Sequence, residues 1–309
     1  MDIRLNGRSA VVTGGSKGLG LAMAQRFAAS GADVAILART PETLAEAKQE
    51  IQAGAKGKVA TVSCDVSKAA DIRRAYDAVM SELGKIDILV NNAGQSTRGP
   101  SEELTDEMWQ ADLDLKLFAQ IRLCRLVFPQ MKQRRWGRII NVLNIGAKAP
   151  GPDSAPTSVS RAAQMAFSKV LSGEGAPYNV LVNSLHVGVI VSDQIVRRHR
   201  REGANVSLED FIAQAGRPVP LGRMGRAEEF ANIACFLVSD AASYVPAARS
   251  MSMAAGRRSS NPPASGALRR GKWDWSARRS AMWRCGDGDG IGNCNRRLGQ
   301  KVGDRRRPC

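Results

Sequence analysis

The sequence has 309 residues and a formal net charge of +16, which is enough chain for one large core or for a domain with an appendage. It has no apolar run near the roughly 18 residues that a membrane-spanning helix needs, and residues 1–6 lack the apolar core of a secretory signal. Two histidines are too few for a histidine metal site, and the six cysteines contain no C-x-x-C pair. We therefore expect a cytoplasmic protein that holds no metal.

The positive charge is concentrated at the C-terminal end. Residues 246–309 hold 15 Lys and Arg residues and 4 Asp residues, a net charge of +11, which leaves +5 for residues 1–245. Basic side chains beside tryptophans, as in this end segment, are one pattern of nucleic-acid binding. The basicity therefore belongs mainly to the end segment and not to residues 1–245.

The stretch 9–22 organises the chain. A short apolar run at 10–12 predicts a buried strand, and a glycine-rich turn follows it directly, before a segment with helical spacing of apolar residues. Gly14 permits a tight turn, Gly18 permits close approach to a pyrophosphate, and Gly20 lets the strand and helix pack closely. The turn residues expected to face a dinucleotide are Gly14, Ser16, Lys17, Gly18, Leu19 and Gly20. The alternative is an ordinary strand–helix turn without a ligand.

Strand-like and helix-like segments alternate from residue 9 to about residue 240. The predicted strands span 10–12, 34–37, 59–63, 86–90, 138–143 and 180–185. The predicted helices begin near residue 19 and then span 41–51, 67–83, 106–132, 157–171, 208–215 and 227–239. This alternation is typical of an α/β fold with a parallel sheet and helices on both faces, a three-layer, doubly wound, Rossmann-like architecture.

Four signals occur together along this alternation. They are the Gly14–Gly20 turn after Thr13, the pair Asp65-Val66, the run Asn91-Asn92-Ala93-Gly94, and Asn183 in the sixth strand. In combination they resemble the short-chain dehydrogenase/reductase family over residues 5–245. The resemblance implies a seven-stranded Rossmann sheet that binds NAD or NADP, and hydride transfer between a nicotinamide and a carbonyl or alcohol. It also implies a homodimer or homotetramer built on the helices at 106–132 and 157–171.

The resemblance assigns further positions to the cofactor, namely Asp65, Val66, Asn92, Gly94, Gly188 and Ser192. Asp65 and Val66 would hold the adenine, and Asn92 would lie near the adenosine ribose. Gly188 matches the glycine of a Pro-Gly loop, with valine before it in place of the usual proline. Ser192 stands where a threonine would bind the nicotinamide carboxamide. An alternative for Asp65 is a carboxylate that caps a helix.

The end of the second strand bears on the choice of cofactor. An acidic side chain there would accept the ribose hydroxyls of NAD and repel the 2′-phosphate of NADP. The chain has Arg39 instead, whose planar cation suits a phosphate, and Lys17 adds a second positive charge. We therefore expect NADP rather than NAD. The alternative is that Arg39 is a solvated loop residue.

The family's catalytic asparagine, serine, tyrosine and lysine are all replaced. By spacing, the matching positions are Lys116, Asn144, Thr157 and Arg161. A threonine hydroxyl is a poor general acid near neutral pH, and an arginine stays protonated, although Arg161 can still bind ribose hydroxyls. Asn144 can donate a hydrogen bond to an oxyanion.

Lys116 is the one new group at these positions that could move a proton, if burial or Arg161 lowers its pKa. The alternative is that Lys116 forms a salt bridge with Asp112 or Asp114.

The leading interpretation is an NADP-dependent oxidoreductase that acts on an unidentified carbonyl or alcohol. Two alternatives remain: a nucleotide-binding relative without turnover, which would serve as a sensor or oligomer partner, and nucleic-acid binding through the basic end. Residues 147–155 and 193–216 would shape the substrate pocket. The arginines at 197, 198, 200 and 201 suggest an acidic substrate or, alternatively, a solvated helix face.

The C-terminal end departs from the family. After residue 245, members normally continue with a seventh strand close to Thr-Gly-Gly-Ala-Ile-Asn-Val-Asp-Gly-Gly, whereas this chain has Pro-Ala-Ala-Arg-Ser-Met-Ser-Met-Ala-Ala. A DNA sequence that encodes the family's seventh strand can encode the residues of this chain when its first base is removed and the reading frame shifts. We therefore predict a domain at 1–245 with six strands in place of seven, and an out-of-frame, disordered end at 246–309.

Overall fold

The computed structural model describes residues 3–202, 205–245 and 251–252. All of them lie in the first of two units of the chain, which spans residues 1–260. The predicted out-of-frame end therefore lies, apart from two residues, outside the described part, and the boundary after residue 245 stays a prediction.

The expected parallel sheet is present. Its strands are β1 (Ser9–Thr13), β2 (Asp33–Ala38), β3 (Val59–Ser63), β4 (Ile88–Asn91), β6 (Gly137–Asn144), β8 (Val180–Val187) and β9 (Met251–Ser252). Their spatial order is β3-β2-β1-β4-β6-β8-β9. Two short strands that we did not predict, β5 (Arg98–Gly99) and β7 (Ala155–Pro156), form a separate antiparallel pair.

Helices cover both faces of the sheet. They are α1 (Gly18–Ala29), α2 (Pro41–Gln52), α3 (Ala69–Leu83), α4 (Asp106–Leu113), α5 (Ala119–Arg134), α6 (Thr157–Gly175), α7 (Asp193–Glu202), α8 (Leu208–Gly216) and α9 (Ala227–Val238). Short 3₁₀ turns occupy Ser101–Glu103, Ile145–Ala147, Ala176–Tyr178 and Asp240–Ala242. None of the helices in the described part is long and apolar enough to cross a membrane.

Alternate residues of each strand pack into two separate cores, because successive side chains point to opposite faces of a sheet. Val12 packs with Phe27 of α1 and Phe230 of α9 on one face. Val11 packs with Ile72 of α3 and residues of α5 on the other. The three-layer, doubly wound architecture expected from the alternation is confirmed. Cys64, Cys124 and Cys235 are free thiols buried within these layers.

Two predicted helices differ in detail from the structure. The segment at 106–132 is α4 and α5 joined by one turn of π-helix over Asp114–Phe118. The helix predicted from residue 67 begins at Ala69, and Lys68 is its N-cap. Ser67 does not cap it because the Ser67 hydroxyl donates instead to Asp65 Oδ1, at 2.8 Å.

The six expected strands form the body of the sheet, and β9 is added at its edge. β9 lies where the family's seventh strand is expected, but it pairs with only two of the eight residues of β8, Leu185 and His186. The expectation of six strands in place of seven is therefore amended by this two-residue strand.

Restoring the reading frame should stabilise the sheet. With one base inserted after the Val245 codon, the chain would carry a strand long enough to pair along β8, which should raise the melting temperature by several degrees and increase the soluble yield. Thermal melts of the two chains, with a chain ending at Val245 as control, measure the effect. A restored chain no more soluble or stable than the present one would contradict the frame interpretation.

Candidate functional site

The glycine-rich turn at the carboxyl end of β1 has the conformation that its sequence predicts. Gly14 and Gly18 have φ of +62° and +55°, in the left-handed region that favours glycine. A Cβ on Gly20 would collide with the Gly14 carbonyl and would lie 2.6 Å from Asn92 Nδ2. The space around Gly18 is open to 4 Å, so the backbone of the turn is accessible to a ligand.

Two side chains tie this turn to the neighbouring strand β4. The Thr13 hydroxyl accepts hydrogen bonds from the backbone N–H groups of Asn92 and Ala93, at 2.9 and 3.0 Å. The Asn92 amide donates to the carbonyls of Thr13 and Gly14, at 2.9 and 3.2 Å. Asn92 thus shapes the turn from within, and its expected place near a ribose stays a prediction. Thr13 precedes the glycine-rich turn in the sequence motif, but its hydrogen bonds to the segment after β4 were not predicted.

Positive side chains stand at the rim of this turn. Lys17 is the N-cap of α1 and Arg39 follows β2, and both are exposed. No hydrogen bond or ion pair is formed by either side chain within the part of the chain that the structure describes. Because β1 and β2 are adjacent parallel strands, their carboxyl ends bring the two cations to the same edge of the sheet.

The other predicted cofactor residues also follow strands of this edge. Asp65 and Val66 come after β3, and Asp65 Oδ1 accepts hydrogen bonds from the backbone and hydroxyl of Ser67, at 3.1 and 2.8 Å. This carboxylate therefore closes a turn just before α3. Gly188 and Ser192 follow β8, and both are half-buried.

Lys116 lies in the π turn and is almost fully buried, with 1% of its surface exposed. Its ammonium group donates to Asp112 Oδ1 in α4 and to the Thr157 hydroxyl in α6, the latter at 2.8 Å. Asp114 instead pairs with Arg122, at 2.9 Å. Of the two salt bridges considered from the sequence, the structure forms the one with Asp112.

The Thr157 hydroxyl is fully engaged. It accepts from Lys116 and from the backbone N–H of Thr97 at 2.9 Å, and it donates to the Thr97 carbonyl at 2.7 Å. A hydroxyl has one proton and two lone pairs, so these contacts use its whole capacity. Thr157 therefore joins α6 to the segment before β5 and has no proton directed elsewhere.

Arg161 lies in α6, one turn after Thr157, and its guanidinium is near Lys116. Its guanidinium donates to the Val142 carbonyl at 2.6 Å and to Gln164 Oε1 at 3.0 Å, and its Nε lacks a partner within the described residues. The Gln164 amide donates to the Lys116 carbonyl at 3.0 Å, so one glutamine couples both cations. A Cβ on Gly94 would lie 2.6 Å from the Arg161 guanidinium, so a larger residue there would require the arginine side chain to move.

Asn144 ends β6 at the same edge. Its Oδ1 is buried and has no hydrogen-bond partner within residues 3–202, 205–245 and 251–252. Its backbone carbonyl lies 2.9 Å from Nδ1 of His186, which is fully buried. Asn144 and Ser158 flank Gly146, since a Cβ there would lie 3.1 Å from Asn144 Oδ1 and 2.7 Å from the Ser158 hydroxyl.

Burial dominates the electrostatics of the site. It lowers the pKa of Lys116 to about 8, although Asp112 acts in the opposite direction. Burial also lowers the pKa of Arg161 to about 10, with Asp112 again opposing. Near neutral pH both groups are charged, and Lys116 is the one that can release its proton in an accessible range.

The structure thus brings the four replaced positions, 116, 144, 157 and 161, to one edge of the sheet. The polar residues that support them could not be identified from the sequence; they are Thr97, Ser160 and Gln164. Asp112 was expected only as one of two alternative salt-bridge partners of Lys116. A signal was available for Asp112, because a carboxylate four residues before a lysine lies on the same helix face. Ser160 and Gln164 meet the site only through the packing of α6.

Two of the four arginines predicted as a cluster in α7 form ion pairs, and both pairs use the same carboxylate. Arg198 and Arg201 both pair with Glu202, at 2.6 and 2.5 Å. Arg200 is exposed, and the side chain of Arg197 lies outside the described part. The contacts favour the solvated helix face that we considered as the alternative. No cluster of potential metal ligands occurs among the residues that the structure describes.

Residues 8–203 match the family described as short chain dehydrogenase. This chain belongs to that family. A 3-oxoacyl-[acyl-carrier-protein] reductase of Chlamydia pneumoniae is 34% identical over 247 residues, which are 80% of this chain and 96% of that protein. The resemblance to the short-chain dehydrogenases is thereby confirmed, and with it an oxidoreductase at the level of the family.

Solved structures of the family are similar as well. L-sorbose reductase from Gluconobacter frateurii, complexed with NADPH and L-sorbose, has a TM-score of 0.74 and 33% identity, covering 79% of this chain and 94% of that one. An NADPH-bound short-chain oxidoreductase from Pseudomonas aeruginosa PAO1 has a TM-score of 0.73 and 35% identity, with the same coverage. The latter is described as containing an atypical catalytic center.

Replacement of Gly20 tests whether the turn geometry matters. Gly20→Ala should destabilise the fold by about 2 kcal/mol, since backbone atoms that cannot move aside surround the new methyl group. Nucleotide affinity should fall as well. Gly54→Ala is the matched control, because no atom lies within 4 Å of the Cβ position there. Urea unfolding and calorimetric nucleotide titration measure both, and equal behaviour of the two variants would refute the assignment of Gly20.

Proposed function

We propose that this short-chain dehydrogenase is an NADP-dependent oxidoreductase that interconverts a carbonyl and an alcohol. The observation that carries the proposal is the buried Lys116 ammonium group, held beside Arg161 at the carboxyl edge of the sheet. It supports the proposal because a lysine ammonium group can exchange a proton, and position 116 is one of those matched to the family's catalytic residues. The substrate stays unidentified, and residues 147–155 and 193–216 remain the segments proposed to shape its pocket.

The residues present fit NADP. The open space at Gly18 leaves room for a pyrophosphate beside the start of α1, where helix N–H groups favour negative charge. Lys17 and Arg39 are exposed and have no acidic partner within the described residues, so they suit a 2′-phosphate. Asp65, Val66, Asn92, Gly94, Gly188 and Ser192 are the further residues proposed to hold the cofactor. Similar structures that contain bound NADPH support this choice.

Charge reversal at Arg39 should reverse the cofactor preference. Wild type should bind NADPH more tightly than NADH, and Arg39→Asp should favour NADH, because a carboxylate accepts ribose hydroxyls and repels phosphate. Each affinity is measured by calorimetry. Lys56→Asp makes a comparable change at an exposed residue before β3, at the opposite edge of the sheet, and should leave the preference intact. Equal affinities of the wild type for both cofactors would defeat the assignment.

Bound NADPH would supply a hydride to the carbonyl carbon, and residues of this chain would stabilise and protonate the carbonyl oxygen. The Lys116 ammonium would donate its proton to that oxygen, and Asn144 would add a hydrogen bond to the developing negative charge. Arg161 would hold ribose hydroxyls and contribute a fixed positive charge. Thr157 would hold Lys116 in place rather than supply a proton, since its own proton is donated to Thr97.

This division of roles predicts different effects for two substitutions. Lys116→Gln keeps a hydrogen-bond donor toward Asp112 but removes the proton donor, so carbonyl reduction should fall at least a hundredfold while NADPH still binds. Thr157→Val should lose less, because the ammonium group remains. In wild type, reduction should decline above pH 8, as Lys116 loses its proton.

Steady-state kinetics on a carbonyl panel and calorimetry of NADPH binding provide the measurements. Turnover that survives Lys116→Gln but not Thr157→Val would show that the wrong acid is assigned. NADPH binding by the wild type without turnover on any substrate would favour the alternative, a nucleotide-binding relative that serves as a sensor or oligomer partner.

We also propose that the domain forms a homodimer or homotetramer through α5 and α6. Phe118, Val159 and Val170 support this, because each exposes more than a third of its surface on these helices or on the π turn. A nucleic-acid partner has no support within the described residues, since the strongly basic end lies outside them.

A further inference from the structure

We propose that Asp112 is a positioning residue for this reaction, whose carboxylate fixes the Lys116 ammonium group at the site and keeps it able to donate a proton. The inference rests on the proposed function, in which Lys116 is the proton donor. It assigns a role to a carboxylate that the reaction itself does not touch.

Asp112 is placed so that both of its oxygens are used. It is buried, with 3% of its surface exposed, and lies in α4 four residues before Lys116. Oδ1 accepts from the Lys116 ammonium, and Oδ2 accepts from the Ser160 hydroxyl of α6 at 2.6 Å. Ser160 is itself fully buried. A buried carboxylate is costly unless it is paired and hydrogen-bonded, and here both conditions are met by groups that surround the proton donor.

The contacts also determine the direction of the ammonium group. An ammonium has three N–H donors, and two of them are occupied by Asp112 Oδ1 and the Thr157 hydroxyl. The third has no hydrogen-bond partner among the described residues. Without Asp112, the lysine side chain would retain Thr157 as its sole polar anchor.

The charged groups that face Lys116 come from two helices. Asp112 of α4 favours the charged form of the ammonium, whereas Arg161 of α6 and burial both disfavour it. The hydroxyl of Thr157 is neutral. Asp112 is therefore the group that opposes desolvation and keeps Lys116 protonated near neutral pH.

The chain offers a matched control on the same helical stretch. Asp114 lies two residues after Asp112, but its carboxylate is directed to Arg122 at 2.9 Å and to the amide of Gln110 at 2.7 Å. Asp112→Asn and Asp114→Asn therefore each remove one negative charge, at positions two residues apart. Only Asp112→Asn removes the carboxylate that is paired with the Lys116 ammonium group.

The first measurement needs neither cofactor nor substrate. The full-length chain is labelled with ¹³C-lysine, Lys116 is assigned with Lys116→Gln, and its titration is followed by NMR. Asp112→Asn should lower the pKa of Lys116 from about 8, and Asp114→Asn should leave it unchanged. Because this readout is independent of turnover, it distinguishes failure of this inference from failure of the proposed function. Equal titration of Lys116 in wild type and Asp112→Asn would overturn the inference.

The second measurement is the pH dependence of turnover. In Asp112→Asn the alkaline decline of carbonyl reduction should move to lower pH, with kcat affected and KM for the carbonyl preserved. A tenfold weaker proton affinity of Lys116 would reduce its protonated fraction at pH 8 about fivefold. Alcohol oxidation should show the converse, since it needs the neutral amine, and its rise should begin at lower pH. An unmoved profile would count against Asp112.

Ser160→Ala tests the orientation of Asp112 without removing its negative charge. This variant also provides a test if Asp112→Asn does not fold. It frees Oδ2 while the carboxylate stays ionised, so kcat should fall severalfold with the pH profile in place. A kcat unchanged in Ser160→Ala would show that the orientation of Asp112 is not important for the reaction.

Discussion

The burial of one ammonium group sets the requirements that the rest of the site meets. Lys116 is almost fully enclosed between the π turn and α6, and a buried cation must be paired and hydrogen-bonded to be tolerated. Asp112 supplies the charge, and Thr157 and Ser160 supply hydroxyls to the lysine and the carboxylate, respectively. These residues depend on one another. Each supplies a charge or a hydrogen bond that another buried polar group of the set requires.

The fold brings these residues to the cofactor edge because all six long strands of the sheet are parallel. Residues that end or follow β1, β2, β4 and β6 meet at one edge although they are far apart in sequence. Gly94 shows how closely the two halves of the site meet, since its missing side chain makes room for the Arg161 guanidinium. The segment after β4 therefore lies directly against the side chains of Arg161 and Lys116.

The features that depend on local spacing could be predicted from the sequence, and those that depend on tertiary packing could not. The glycine turn and the strand alternation follow from residue order, and the structure agrees with them. The match of positions 116, 144, 157 and 161 to the family's catalytic residues also comes from residue order and stays a prediction. The choice of Asp112 over Asp114 follows from helix periodicity, but its bond to Ser160 requires the packing of α4 against α6. Neither the turn of π-helix nor the two-residue strand β9 could be predicted from the sequence. A π turn has the same residue pattern as the α-helix around it, and two residues are too few to show the alternation of a strand.

The pairing of Lys116 with Arg161 gives the site a distinct electrostatic character. The two cations share one carboxylate, Asp112, within the described residues, so the local charge is positive while Lys116 is protonated. Arg161 keeps its proton near neutral pH, so its charge would persist after the proton donation proposed for Lys116. A fixed cation beside a mobile proton favours the negative charge that develops on a carbonyl oxygen during reduction. Under the proposed function, Lys116 would supply the proton and Arg161 the lasting positive charge, so the two requirements of carbonyl reduction would be met by different residues.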